Sequence, residues 1–223
     1  MLQLIIFDMD GVIADTEYHD FLQQQNFVKT LSANPDALTH EDFSSLAGKS
    51  YGNLYRAIKT LTASPLSEDE IGAALADYAA EHYETPDYKA LFRKDIVHIL
   101  DYAAQHGIKL AVASSSRRSR IMELLETCDI ADKFDHIASG EDFAESKPNP
   151  EIYLSVLTAL NIDAAHAAAV EDSESGIAAA KAAGIFTIAY EETRMTMNQS
   201  RADAKGGNMI EILEILKQRH EAA

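Results

Sequence analysis

The segment Leu2 to Gly11, LQLIIFDMDG, is apolar at five of the six positions before Asp8 and then turns on a glycine. An apolar run without alternation is what a strand buried on both faces looks like, and such strands sit in parallel sheets covered by helices on each side. In an extended strand, side chains two apart point the same way. If the strand conformation persists to position 10, Asp8 and Asp10 face one side at its C-terminal edge. Like charges that close repel, so a proton, a metal ion or both must offset them.

Four further strands are expected at Lys109–Ser114, His136–Ser139, Ala167–Glu171 and Phe186–Tyr190. Helical patterns fall between and after them: Ile96–His106 closed by Gly107, Ser119–Cys128, Pro150–Leu160 capped by Asn149, Glu174–Ala183 closed by Gly184, and Met209–Arg219. Strands alternating with helices predict an α/β fold, a doubly wound parallel sheet of Rossmann-like form. About 100 residues separate the first two strands, whereas a βαβ unit needs roughly 30. Residues from Asp15 to about Leu91 read as helical throughout. They include Ser50–Leu61 and a helix opening with a Ser67–Glu70 capping box, with Pro65 and Pro86 between the pieces. The expected organisation is an α/β core of residues 1–14 and 92–223 carrying an inserted all-helical cap of residues 15–91. The linkers would lie just after Ala14 and near Tyr88–Phe92.

The formal charge of −17 works against partners such as nucleic acid or anionic membrane. No apolar run is long enough to span a bilayer, and no basic segment precedes the first apolar run. Cys128 is the sole cysteine, which excludes a disulfide framework and makes a reducing, cytoplasmic setting the expectation. A monomer is the default. With this charge, a phosphate site must be built from local donors and a cation. The basic cluster Arg117, Arg118 and Arg120 reads first as a solvated helix face.

In an open parallel sheet, ligands bind beyond the C-terminal strand edges at a topological switch point. Asp8 and Asp10, Ser114–Ser116, and Glu171–Asp172 all fall at such edges, with Lys147 in a loop of SKPNP. Asp8, Asp10, Glu171 and Asp172 offer hard oxygen ligands that suit Mg²⁺. Ser114, backbone N–H groups at Ser115–Ser116 and Lys147 could hold phosphate oxygens. Phosphoryl transfer needs little more than an in-line nucleophile, charge neutralisation and a proton handler. Asp8 suits the first role and Asp10 the last. Taken singly, each has a structural reading as a cap, a turn or a loop residue; their common placement on one edge argues for a site.

FDMDG with its apolar lead-in, the strand-terminal Ser114, SKPNPEIY and VEDSESGI resemble, in order, the four motifs of the haloacid dehalogenase superfamily. The layout is similar to members with a helical cap inserted after the first motif, and within them to the β-phosphoglucomutase and small sugar-phosphate phosphatase group. The resemblance implies Asp8 as nucleophile and Mg²⁺ ligand. It implies Asp10 as acid/base and as a ligand through its backbone carbonyl. Ser114 and Lys147 would bind the transferring phosphoryl, and Asp172 would complete the metal site with Glu171 nearby. Superfamily dehalogenases lack an acid at the second position of the pair, so Asp10 favours phosphoryl transfer. The mutases grip a second phosphate with a cap arginine where this chain has Tyr51, which cannot make a bidentate contact; Lys49 lies two residues earlier. His19 resembles a mutase cap histidine but sits one residue early, about 100° around a helix. Ser116 falls where the mutases contact the distal phosphate, and Arg118, where they have an asparagine, is expected to bind an anionic group on the substrate, with Lys49. These features favour hydrolysis of a small phosphorylated metabolite such as a sugar phosphate. The alternatives are a β-phosphoglucomutase-type reaction and a non-catalytic binding domain.

Overall fold

A computed structural model describes residues 1–83 and 86–221. Among them, six strands form one sheet: β1 (Leu4–Phe7), β2 (Lys109–Ser114), β3 (His136–Ser139), β4 (Ala167–Glu171), β5 (Phe186–Tyr190) and β6 (Ala204–Gly206). Every pairing is parallel, and the order is β3-β2-β1-β4-β5-β6. The five strands expected from sequence are present, with β1 starting two residues later than the apolar run. The sixth, AKG, is three residues long with one buried position, too short to carry a strand pattern.

Apolar residues on both faces explain why no polar residue interrupts β1 or the middle of β2 and β4. Ile5 and Phe7 of β1, Leu110 and Val112 of β2, and Ala168 and Val170 of β4 face one hydrophobic cluster. That side is covered by α6 (Val97–His106), α7 (Arg118–Thr127) and α10 (Met209–Glu221). Leu4 and Ile6, Ala111 and Ala113, and Ala167 and Ala169 face the other cluster, under α8 (Glu151–Leu160) and α9 (Glu174–Ala182). Alanine dominates this second face, so α8 and α9 can approach the sheet closely. Pro150 takes the cap position of α8 rather than the first helical one, yet Asn149 still accepts the Glu151 N–H at 2.9 Å.

Register sets the site. Phe7 is level with Val112 of β2 and Val170 of β4, so Asp8 emerges beside Glu171 at the end of β4 and close to the end of β2. The chain winds outward from β1 in both directions, and that switch point opens a crevice at this edge.

Between β1 and β2 lie α1 (Thr16–Leu31), α2 (His40–Ser44), α3 (Tyr51–Thr62), α4 (Glu68–His82) and the short α5 (Tyr88–Leu91). The Ser67–Glu70 capping box opens α4 as expected. This helical insertion has its own core, in which Phe21, Phe27, Leu46, Leu54, Ile58 and Ile71 are buried together. Its two connections meet: Ala14 pairs with Phe92 in an antiparallel bridge, and the Asp15 N–H donates to the Leu91 carbonyl at 2.9 Å. The loop after β5 adds a third tie. Arg194 donates two 2.7 Å hydrogen bonds to Asp15, the Thr196 N–H donates to Ser44 Oγ at 3.0 Å, and Met195 is buried within the insertion's core. No helix among the described residues is long and apolar enough to cross a membrane.

Truncating a buried methionine removes its transfer free energy and leaves a cavity. Met195→Ala is therefore expected to cost roughly 2 kcal/mol or more in urea unfolding. An unchanged midpoint would show that the loop only rests on the insertion.

Candidate active site

The strand does not persist to position 10, and this corrects the picture of two acids side by side. β1 ends at Phe7; the chain then turns, with Gly11 at φ +78 and a bridge between Asp10 and Ala14. A Cβ at Gly11 would run into the Asp172 carboxylate, so the position needs glycine for its backbone angle and for space alike. The turn, rather than strand alternation, gives the two carboxylates different partners in one cavity.

Asp8 stays with the buried acids. Asp8, Glu171 and Asp172 have oxygens within 4.8 Å of one another, and all three residues are buried. Lys147 reaches in among them: its ammonium donates to Asp8 Oδ1 at 3.0 Å, to Glu171 Oε1 at 2.6 Å and to the Ala113 carbonyl at 2.8 Å. Tyr153, fully buried on α8, donates its hydroxyl to the same Glu171 oxygen at 2.5 Å and fixes it there. A Cβ at Gly176 would overlap that carboxylate, which is why α9 can begin directly above it. Burial pushes Asp8 up to about 7 despite the Lys147 ammonium. Burial also holds Asp172 well above the usual carboxylate range, reinforced by Glu17, Asp8 and Glu171.

Three carboxylates face one ammonium, so as charged groups they carry an excess of negative charge in a dry place. Asp172 Oδ2, buried, has no hydrogen-bond partner among the described residues. A buried acceptor without a donor is costly. Hard carboxylate oxygens, a charge deficit and an unpartnered oxygen are what a divalent cation such as Mg²⁺ fits. The residues present therefore fit that ion.

Asp10 lies across the site from this group. Thr16 Oγ1 donates to its Oδ1 at 2.5 Å and Ser116 Oγ to its Oδ2 at 2.7 Å. One Arg120 nitrogen donates at 3.0 Å both to Asp10 Oδ1 and to Asp20 Oδ2 on α1. Ser116 is thus engaged with Asp10 rather than open to a distal phosphate, while its own N–H donates to Ser114 Oγ at 3.1 Å. Asp8 and Asp10 both line a small cavity of about 70 Å³, with Ser114, Ser115, Ser116, Lys49 and Tyr51 among its other lining residues.

Other expectations fare differently. Arg118 is turned away: it pairs with Asp142 at 2.6 Å and donates to the Ile137 carbonyl, outside this cavity, so it is not an anion contact. Residues two apart on a helix point about 200° apart; Arg120, read as part of a solvated face, is the one that enters. His19 contacts Asp20 and Gln23 and does not line the cavity. Glu17 went unnoticed in the sequence. It is pushed up to about 8, mainly by burial, accepts the Gly48 N–H and lines the cavity from the insertion. Its signal was an acid one residue into the helix that follows the first linker.

Lys147→Met, an apolar replacement, leaves buried acids without their cation, which costs about 3 kcal/mol at pH 8. The acids' folded pKa values then rise further above their unfolded values, so stability falls as pH climbs between the two. Denaturant unfolding should accordingly show a smaller penalty at pH 5 than at pH 8; a penalty constant with pH would mean the ammonium is not paired with titrating acids.

The phosphorylated carbohydrates phosphatase of Thermotoga maritima is 29% identical over 232 residues, covering 97% of this chain and 99% of its own. Beta-phosphoglucomutase of Bacillus subtilis (strain 168) is 28% identical over 195 residues, 84% of this chain and 82% of its own. The crystal structure of a mutant CbbY from Rhodobacter sphaeroides in complex with xylulose-(1,5)bisphosphate superposes with a TM-score of 0.68 at 26% identity, covering 95% of this chain and 96% of the other. The haloacid dehalogenase-like hydrolase family model matches residues 5–190, so the chain belongs to that family of hydrolases.

Proposed function

We propose that the protein is a Mg²⁺-dependent phosphatase that hydrolyses a small phosphorylated metabolite, a sugar phosphate, through an aspartyl-phosphate on Asp8. The observation that carries this reading is the split of the two acids. Asp8 is buried against Lys147 at 3.0 Å beside an Asp172 oxygen that has no partner among the described residues, while Asp10, lining the same cavity, is held by Thr16, Ser116 and Arg120. Different partners orient the two acids toward one cavity, an ammonium for Asp8 and two hydroxyls with a guanidinium for Asp10, as separate roles in attack and proton transfer require.

Lys147 holds Asp8 through Oδ1, which leaves the other oxygen to attack phosphorus. The bond from phosphorus to the ester oxygen breaks as the bond to Asp8 forms, and Asp10 gives the departing oxygen its proton. Asp10 then takes a proton from the attacking water, the phosphorus–Asp8 bond breaks, and inorganic phosphate leaves. Asp8, Asp172 and the Asp10 backbone carbonyl would hold Mg²⁺, with Glu171 beside them; when bound, the ion neutralises charge between the nucleophile and the phosphoryl oxygens. Ser114, the Ser115 backbone and Lys147 would bind the transferring group. The helical cap of residues 15–91 closes over the substrate and limits competing water. A single free cysteine suits a reducing, cytoplasmic setting.

Hydrolysis is favoured over mutase chemistry by what fills the cap position. Tyr51 lines the cavity and Arg118 is spent on Asp142, so neither supplies a bidentate grip for a second phosphate. Lys49 in the cavity lining keeps the mutase as the second reading.

A panel of sugar phosphates assayed for released phosphate should reveal turnover that EDTA abolishes and Mg²⁺ restores. Asp8→Asn should lower kcat at least about 10³-fold. Turnover that survives in Asp8→Asn would refute the aspartyl-phosphate route. Formation of glucose 6-phosphate from β-glucose 1-phosphate and a trace of the 1,6-bisphosphate would establish the mutase instead.

A further inference from the structure

Among the described residues, Arg120 is the one cation bonded both to Asp10 and to the helical insertion. It projects from α7, and a single terminal nitrogen donates at 3.0 Å to Asp10 on the turn after β1 and at 3.0 Å to Asp20 on α1. The three side chains are largely shielded, 24% exposed for Arg120, 14% for Asp10 and 26% for Asp20. With two carboxylates on one guanidinium, no positive charge remains to attract a substrate anion, so the arrangement is not a phosphate grip.

We propose that Arg120 is a positioning residue that couples seating of the insertion to the orientation of Asp10; this deepens the phosphatase reading and rests on it. The insertion is joined to the sheet through the paired segments at Ala14 and Phe92, and a swing about them carries Asp20 away from α7. Arg120 then loses its partner on the insertion and, with it, the constraint that fixes its nitrogen on Asp10 Oδ1. Ser116, on the sheet side, stays with Asp10, and Thr16, two residues past the Ala14 bridge, lies near the pivot and moves least of α1; neither fixes where Arg120 sits. The proton is therefore aimed at the departing oxygen only when the insertion is seated and water is excluded. Transfer itself stays as written above: the ester oxygen leaves phosphorus and takes its proton from Asp10.

Leaving groups that differ in their need for a proton separate this role from a structural one. Nitrophenolate departs from p-nitrophenyl phosphate almost without help, whereas the similar-sized phenyl phosphate loses a more basic oxygen. In the Mg²⁺-loaded enzyme, Arg120→Ala is expected to lower kcat/KM about tenfold on phenyl phosphate and less than about threefold on p-nitrophenyl phosphate. Arg120→Lys should recover part of the phenyl phosphate loss. Asp20→Ala should show the same bias between esters, and adding it to Arg120→Ala should cost nothing more. Equal losses on both esters, or additive losses in the double variant, would overturn the proposal. Should Arg120→Ala fail to fold, Arg120→Lys and Asp20→Ala carry the same comparison. Asp8→Asn tests the underlying reading separately: if it turns over p-nitrophenyl phosphate like wild type, that reading fails, whatever Arg120 does.

Discussion

The ammonium of Lys147 is what allows the rest of the site to exist. It is buried at the junction of β1, β2 and β4, bonded to Asp8, Glu171 and the Ala113 carbonyl. Without it, the parallel register that levels these strand ends would gather carboxylates in a dry place with no compensation. With it, one unit of positive charge meets three acids, and the remaining deficit falls where Asp172 keeps an unpartnered oxygen. The same surplus of buried carboxylate oxygens is what a small, hard cation would fit. Structure and chemistry thus share one electrostatic constraint. Tyr153 and Gly176 belong to it as well, one fixing Glu171 by a hydrogen bond and the other making room for it.

Much of this was legible in the sequence because it lies in local patterns. The uninterrupted apolar run before Asp8 gave a strand buried on both faces, and the two clusters divided by alternate residues of β1 are its physical counterpart. The excess length before Lys109 gave the insertion. Lys147, Glu171 and Asp172 fell on loops and strand ends of one edge, and the sheet brings them together. What could not be read depends on backbone angles and long-range packing. Strand alternation was expected to orient Asp10, but the chain leaves the strand at Phe7 and a turn at Gly11 sets its partners instead. Three nearby arginines looked alike until helix geometry sent Arg118 to Asp142 and Arg120 into the cavity. Met195 carried no sign that a loop after β5 would lodge in the core of an insertion more than a hundred residues earlier.

The insertion is tied to the sheet at several points, through the segments at Ala14 and Phe92, through Arg194 and Met195, and through Ser175 donating to the Gly48 carbonyl at 2.8 Å. These contacts leave a cavity of about 70 Å³ between the acids. Charge interactions are stronger in a small, largely protein-lined volume than in open water, which suits phosphoryl transfer. Entry and release then require the insertion to move, so contacts that hold it act on turnover as well as on stability.

Calorimetric titration with Mg²⁺, run near pH 7 in two buffers of different ionisation enthalpy, tests the electrostatic account most directly. Burial raises Asp8 to about 7 and lifts Asp172 above the usual carboxylate range, and a cation that favours the ionised carboxylates draws both back down, so its binding is linked to proton release. Net proton release on binding, diminishing as the pH rises, is the expected result. Mg²⁺ binding that releases no protons and is indifferent to pH would contradict it.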